Sequence, residues 1–258
     1  MRINTNVAAL DATRNLYLVQ QDVATSMGKL SSGLRINHAS DDAAGLAIAN
    51  KLRTSTRALN MATNNAEQGN AMLQIAEGSA TQIQRILERQ KELYIQRASS
   101  QNSGQTASLD SEYSTLSKEA ERILDSTNFQ GATIFGAALS FKVSDTTVTG
   151  ASTIDISIAL ATSDVSAGTT AATDVSTNLD KVNTALATIG AAQNRLSYTI
   201  ANLKAAIVNQ SAAESTVRDV DMASEMAMFT KNNILAQAGT AMLAQANQSG
   251  QSVLSLLR

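Results

Sequence analysis

The chain has 258 residues, a formal net charge of −2, no cysteine, no proline and only 3% aromatic residues. This charge balance gives no electrostatic case for nucleic acid or an anionic membrane, and zero cysteine excludes disulfides, thiolate metal sites and cysteine nucleophiles. Proline breaks helix interiors, so its absence suits long helices, and equally a chain that refolds quickly after passing somewhere unfolded.

The start, "MRINTNVAALDATRNL", lacks the apolar core of a secretory signal peptide. No run reaches the ~18 consecutive apolar residues of a membrane span. Ile3, Val7 and Leu10, then Val19, Val23, Met27 and Leu30, place apolar stripes on a first helix of about 35 residues. The turn "RINHASDD" follows, with His38 as a loop residue. Ser40, Asp41 and Asp42 supply an N-cap and an acidic first turn for the next helix.

That helix carries a seam of Ile48, Leu52, Ser55, Leu59, Ala62, Ala66, Gly69, Leu73, Ala76, Ala80, Ile83, Leu87, Gln90 and Tyr94. Its steps alternate between three and four, the period of a coiled coil, and it would run roughly 70 Å at 1.5 Å per residue. The small residues in it let a partner backbone come close. "RASSQNSGQTAS" reads as a turn before a second seam of Leu109, Tyr113, Leu116, Ala120 and Ile123.

From 129 to 170 the period changes to two. Phe141 and Val143 alternate with polar residues, as do Ile154, Ile156, Ile158 and Leu160, which predicts short β-strands joined through "SDTTVTGAS". "TSDVSAGTTAATD" then reads as small, polar surface. A third seam, Leu179, Val182, Leu186, Ile189, Gln193, Leu196, Ile200, Leu203 and Ile207, returns to steps of three and four. It must pair with the 48–94 seam across the β excursion. The fold predicted is mainly α, an elongated antiparallel coiled-coil bundle of N- and C-terminal segments with a small β-hairpin.

The last helix shows Met222, Met226 and Phe229, then Leu235, Ala238, Met242, Ala246, Val253 and Leu257, with Leu256 adding to an apolar end. No charged residue occurs between Asn232 and Leu257. The apolar area on two such helices is small against the entropy of ordering them, so the terminal stripes need partner surface beyond one copy. Other copies of the same chain are the simplest source. Missing charges fit a homopolymer, where every inward-facing charge would be repeated against its own kind.

The stretches "INTNVAALDATRNL", "LSSGLRINHASDDAAGLAIANKL", "NNAEQGNAMLQIAEGS" and "LDSTNFQGATIF" resemble bacterial flagellin. So do "AQNRLSYTIANL", "RDVDMASEMAMFTKNNILAQAGTAMLAQANQ" and "QSVLSLLR", so that the resemblance covers about 1–136 and 175–258. It implies a structural subunit that polymerises into the extracellular flagellar filament for motility, or a hook–filament junction protein of the same export system. It also implies inner-tube helices over 1–40 and 220–258, an outer-tube bundle over 41–128 and 171–219, and the hairpin segment over 129–170. On this assignment Ile3, Val7, Leu10, Met226, Phe229, Leu235, Met242, Val253, Leu256 and Leu257 pack the inner tube. The large outer domains of long flagellins look absent.

The family further implies export of an unfolded chain, an export chaperone on about 220–258, and filament cap and hook-junction proteins as partners. "LERQKELYIQRAS" resembles the segment read by the Toll-like receptor for flagellin, with Arg89, Leu93 and Gln96 at matching positions. Glu88 and Tyr94 depart from the usual residues, and a second receptor contact falls on Thr115, or on Glu112 with a different loop alignment. Arg89 and Gln96 would equally serve a solvated or inter-subunit face. No phosphate loop, Ser/His/Asp set or zinc motif occurs, so neither an enzyme nor a cofactor is expected. Asp219, Asp221 and Glu225 read as a helix start rather than a metal site.

Overall fold

The computed structural model describes residues 6–99, 104–144, 153–161 and 172–256, with side chains throughout except at 172, 173 and 249–256. Five helices and two small hairpins occur in this order among the described residues: α1 (Val7–Ser32), α2 (Ala43–Ala98), α3 (Thr106–Ser126), β1 (Asn128–Phe129), β2 (Ala132–Thr133), β3 (Ala138–Lys142), β4 (Thr153–Ser157), α4 (Ala172–Arg218) and α5 (Met222–Leu256). The chain divides into two compact units. One holds residues 1–54 and 210–258, and the other holds 55–209.

In the 55–209 unit the long seam of α2 is buried where its period is most regular. Ala66, Leu73, Ala76, Ala80, Ile83 and Leu87 are buried in one core with Val182, Ile189 and Leu196 of α4, and Ala62 before them is buried too. At the two ends of α2, the first of which belongs to the other unit, the stripe shifts by one residue. Ala49 is buried and Ile48 exposed, and Leu93 is buried while Tyr94 is half-exposed. A straight helix drifts by about 20° per heptad against a 3.5-residue seam, so a row of this length leaves the strict pattern at its ends. α4 runs antiparallel to α2, with Lys204 Nζ 3.1 Å from Glu67 Oε1 and Gln193 Nε2 donating to Glu77 Oε2 at 2.8 Å.

α3 folds back on the C-terminal half of α2. Gln90, fully buried, donates through Nε2 to Ser117 Oγ at 2.8 Å, and Arg97 Nε lies 2.9 Å from Asp110 Oδ1. The β segment belongs to the same core and is not an appendage to the bundle. β3 and β4 pair antiparallel with Leu139 opposite Ile156 and Phe141 opposite Ile154. Opposed residues share a face, and that face joins Ile158, Leu160 and Val143 in the helical core. Gly69 on α2 makes the seat for Phe141, because a Cβ there would stand 3.0 Å from the ring. The predicted connection "SDTTVTGAS" and the segment "TSDVSAGTTAATD" fall largely outside the described residues.

β1 and β2 form a hairpin the strand pattern did not predict. Gln130 and Gly131, both at positive φ, close it as a two-residue turn. Two-residue strands are too short to show alternation.

Candidate assembly interface

In the 1–54 and 210–258 unit, α1 and α5 lie antiparallel, with Cα atoms within 8 Å of each other along the pair. A row of α1 residues sheltered from solvent runs Ala9, Ala12, Leu16, Val19, Val23, Ser26 and Leu30, with Lys29 beside its end. The matching row of α5 runs Glu225, Phe229, Asn232, Ala236, Gly239, Leu243 and Ala246, with Asn233 beside it. Both rows step by three and four, so each helix presents one coiled-coil seam. Small residues allow the close approach, and a Cβ on Gly239 would stand 3.2 Å from Leu16 Cδ1.

Polar groups fix the ends of the pair. Asn6 is the N-cap of α1, its Oδ1 accepting from the Ala9 N–H at 3.1 Å, while its Nδ2 donates to the Ala246 carbonyl at 2.9 Å. Gly33, at φ 72°, ends α1 and donates its N–H to the Lys29 carbonyl at 2.8 Å. The chain then meets the α4–α5 connection as a short antiparallel bridge, Leu34 opposite Asp219. The Arg35 N–H donates to the Arg218 carbonyl at 2.7 Å, and the Val220 N–H donates to the Gly33 carbonyl at 3.1 Å. Arg35 Nη2 adds a bond to the Val217 carbonyl at 2.7 Å.

The adjacent acids divide their roles, which differs from the cap predicted over residues 40–42. Asp42 alone caps α2, accepting from the Gly45 N–H at 2.8 Å. Asp41 turns back, and its Oδ2 accepts from the N–H groups of His38 at 2.9 Å and Asn37 at 3.0 Å. These bonds hold its carboxyl below the usual carboxylate range. Asp221 caps α5 by accepting from the Ala223 N–H at 3.0 Å. Among the described residues no group of three His, Asp or Glu side chains could hold a metal ion.

The large apolar residues of this unit mostly stand outside its seam. Val7, Leu10, Tyr17, Leu18 and Met27 of α1 are exposed, and so are Met222, Met226, Met228, Ile234, Leu235 and Met242 of α5. Met228, Leu235 and Met242 recur every seven residues and so form one row on a flank of α5. Of the residues expected to pack an inner tube, Val7, Leu10, Met226, Leu235 and Met242 therefore face solvent in the single chain, while Phe229 is half-sheltered on the seam row. Ile3 and Leu257 lie outside the described residues, as do the side chains of Val253 and Leu256. The sequence reading reached the seam at Val19, Val23, Leu30, Phe229 and Ala246 and passed over its small members because it followed bulk. Ala9, Ala12, Ala236 and Gly239 carry the same three-four spacing, and that spacing was the available signal.

The three residues of the expected receptor face are not equivalent. Arg89 is half-exposed and bonded to Glu112 Oε1 through Nη2 at 3.0 Å and to Glu92 Oε2 through Nη1 at 3.0 Å. Bonds to Glu92 and then Glu112 raise its pKa and keep it charged. Gln96 is exposed, whereas Leu93 is 2% exposed and packs with Tyr113 and Val175. The structure thus withdraws Leu93 from that face, because the drift of the seam turns position 93 inward. Glu112, not Thr115, is the acid opposite Arg89.

Two family models match the chain: the bacterial flagellin N-terminal helical region over residues 3–139 and the bacterial flagellin C-terminal helical region over 172–257. The chain is 42% identical to a flagellin of Halalkalibacterium halodurans and 39% identical to one of Bacillus subtilis, in both cases over the whole of each protein. It is 38% identical to the flagellar filament 33 kDa core protein of Treponema phagedenis, again over the full length of both.

Proposed function

Because the chain belongs to the bacterial flagellins and is a structural subunit of the flagellar filament, we propose that the exposed apolar faces of α1 and α5 are the contacts between copies that build its inner wall. The observation that carries this is the division of labour on α5. Its small residues satisfy α1, and Met228, Leu235 and Met242 are left over in an exposed row that nothing among the described residues covers. A contiguous exposed apolar surface of this kind marks an interaction site. The helices carry Asp11, Arg14, Asp22 and Lys29, then Glu225 and Lys231, so neither adds net charge to a stack of copies.

The test is the double substitution Leu235→Asp with Met242→Asp. Both positions are exposed in the free chain, so helix content by circular dichroism should match the parent while electron microscopy shows no long filaments. Normal filaments from this variant would overturn the assignment. Short caps of a few copies from the parent protein itself would point instead to a hook–filament junction role.

The same reading places the assembled protein outside the cell, with an export chaperone holding about 220–258 before assembly and a cap complex receiving the chain at the filament tip. The receptor reading narrows to Arg89 with Gln96 and Glu112, since Leu93 is buried in the folded subunit. A receptor reporter assay comparing Arg89→Ala with the parent decides it, and equal signal from the two would remove Arg89 from the contact.

A further inference from the structure

We infer that Met27, Met222, Met226, Met228 and Met242 form a reversible oxidation site that controls whether a free subunit can assemble. The inference rests on the reading of the terminal helices as contacts between copies. The chain has no cysteine, so its thioethers carry all its sulfur chemistry. Of the methionines among the described side chains, these five sit on α1 and α5 and are exposed by between 48% at Met222 and Met226 and 64% at Met242. Met61 on α2 is also exposed, and Met72 is 5% exposed within the core. The oxidisable side chains are thus concentrated on the unit expected to lose its solvent contact on assembly.

The step is a two-electron oxygen transfer from a peroxide. The thioether sulfur attacks one oxygen of hydrogen peroxide, the O–O bond breaks, and the hydroxyl now on sulfur gives its proton to the leaving hydroxide, so that the sulfoxide and one water result. Each sulfoxide replaces a flexible apolar end with a polar group that accepts hydrogen bonds. Solvent satisfies that group in the free subunit. Against an apolar neighbour nothing does, and burial of an unsatisfied acceptor opposes the contact. Reductases specific for the two sulfoxide epimers, supplied with a dithiol, return the thioether as the dithiol is oxidised to a disulfide and the oxygen leaves as water, so the block is reversible.

Full-length subunits treated with hydrogen peroxide and mapped by peptide mass spectrometry should gain oxygen at the five terminal methionines and at Met61 while Met72 stays reduced. The concentration needed for polymerisation should rise by roughly tenfold or more, since five buried acceptors are introduced per copy. Treatment with both reductases and dithiothreitol should restore it, and dithiothreitol alone should not. A variant with Met→Leu at all five positions should polymerise with no response to peroxide. Should that variant fail to assemble untreated, reductase rescue of the parent remains decisive.

Two different failures are separable. If the five methionines of finished filaments oxidise as fast as those of free subunits, the packing assignment is wrong. If they are protected in filaments, yet subunits carrying the terminal sulfoxides assemble at the parent concentration, the packing stands and the oxidation control is wrong.

Discussion

Asp41 and Asp42 are neighbours in sequence, yet one tightens a turn and the other starts a helix of 56 residues. The two backbone N–H groups that Asp41 accepts depress its folded-state pKa, so the unfolded chain takes up the proton first as pH falls. Its stabilising contribution is present above about pH 4, the ordinary aspartate range, and is lost as pH falls through the lower folded value. Urea midpoints measured from pH 6 down to pH 3 should decline, and Asp41→Asn should remove part of that decline. Gly69 is a second single-residue control point. Replacing it with Val drives side-chain atoms into the Phe141 ring, and overpacking of this kind costs about 1–3 kcal/mol. The denaturation midpoint of the Gly69→Val chain should fall accordingly, and an unchanged midpoint would show that the β3–β4 hairpin can move aside.

At the scale of elements, the α1–α5 pair separates two kinds of position. Gly239→Val acts on the seam by pressing against Leu16, so it should lower helix content and polymerisation together. The Leu235 and Met242 substitutions act outside the seam and should lower polymerisation alone. Circular dichroism beside sedimentation resolves the two patterns. The same distinction explains which elements could be read from the sequence. The α2 row from Ala62 to Gln90 was legible because it is buried from one side, and a three-four rhythm is then the whole signal. α1 and α5 were harder, because each carries two apolar surfaces, a small-residue one toward its partner and a bulky one toward solvent. A reading weighted by hydrophobicity merges them into one stripe, and so it selected Leu10 and Met242 over Ala12 and Gly239. Leu93 was misplaced for a related reason, since a one-residue drift at the end of a long helix reverses which of two neighbours is buried. The first helix was also overestimated in length: the described α1 has 26 residues and ends at the left-handed Gly33.

For the whole molecule, the balance of charge and exposed apolar surface predicts how assembly responds to conditions. The contacts proposed are apolar, and α1 and α5 together carry no net charge. Polymerisation followed by light scattering should therefore respond little to moderate sodium chloride. It should be promoted by sulfate, which is excluded from protein surfaces, and weakened by cooling. A steep loss of polymer on adding sodium chloride would show that ion pairs between copies dominate instead. The bond between Asn6 and Ala246 has a further consequence, because it joins residues 240 positions apart. Closing so long a loop is entropically costly and kinetically late. During synthesis of the chain, α1 has no seam partner until α5 follows it about 190 residues later. A truncated or stalled chain can form neither the pair nor the row beside it. On the proposed contacts, completeness of the chain thus becomes a condition of entry to the polymer, and a subunit truncated within α5 should stay out of filaments in a sedimentation assay.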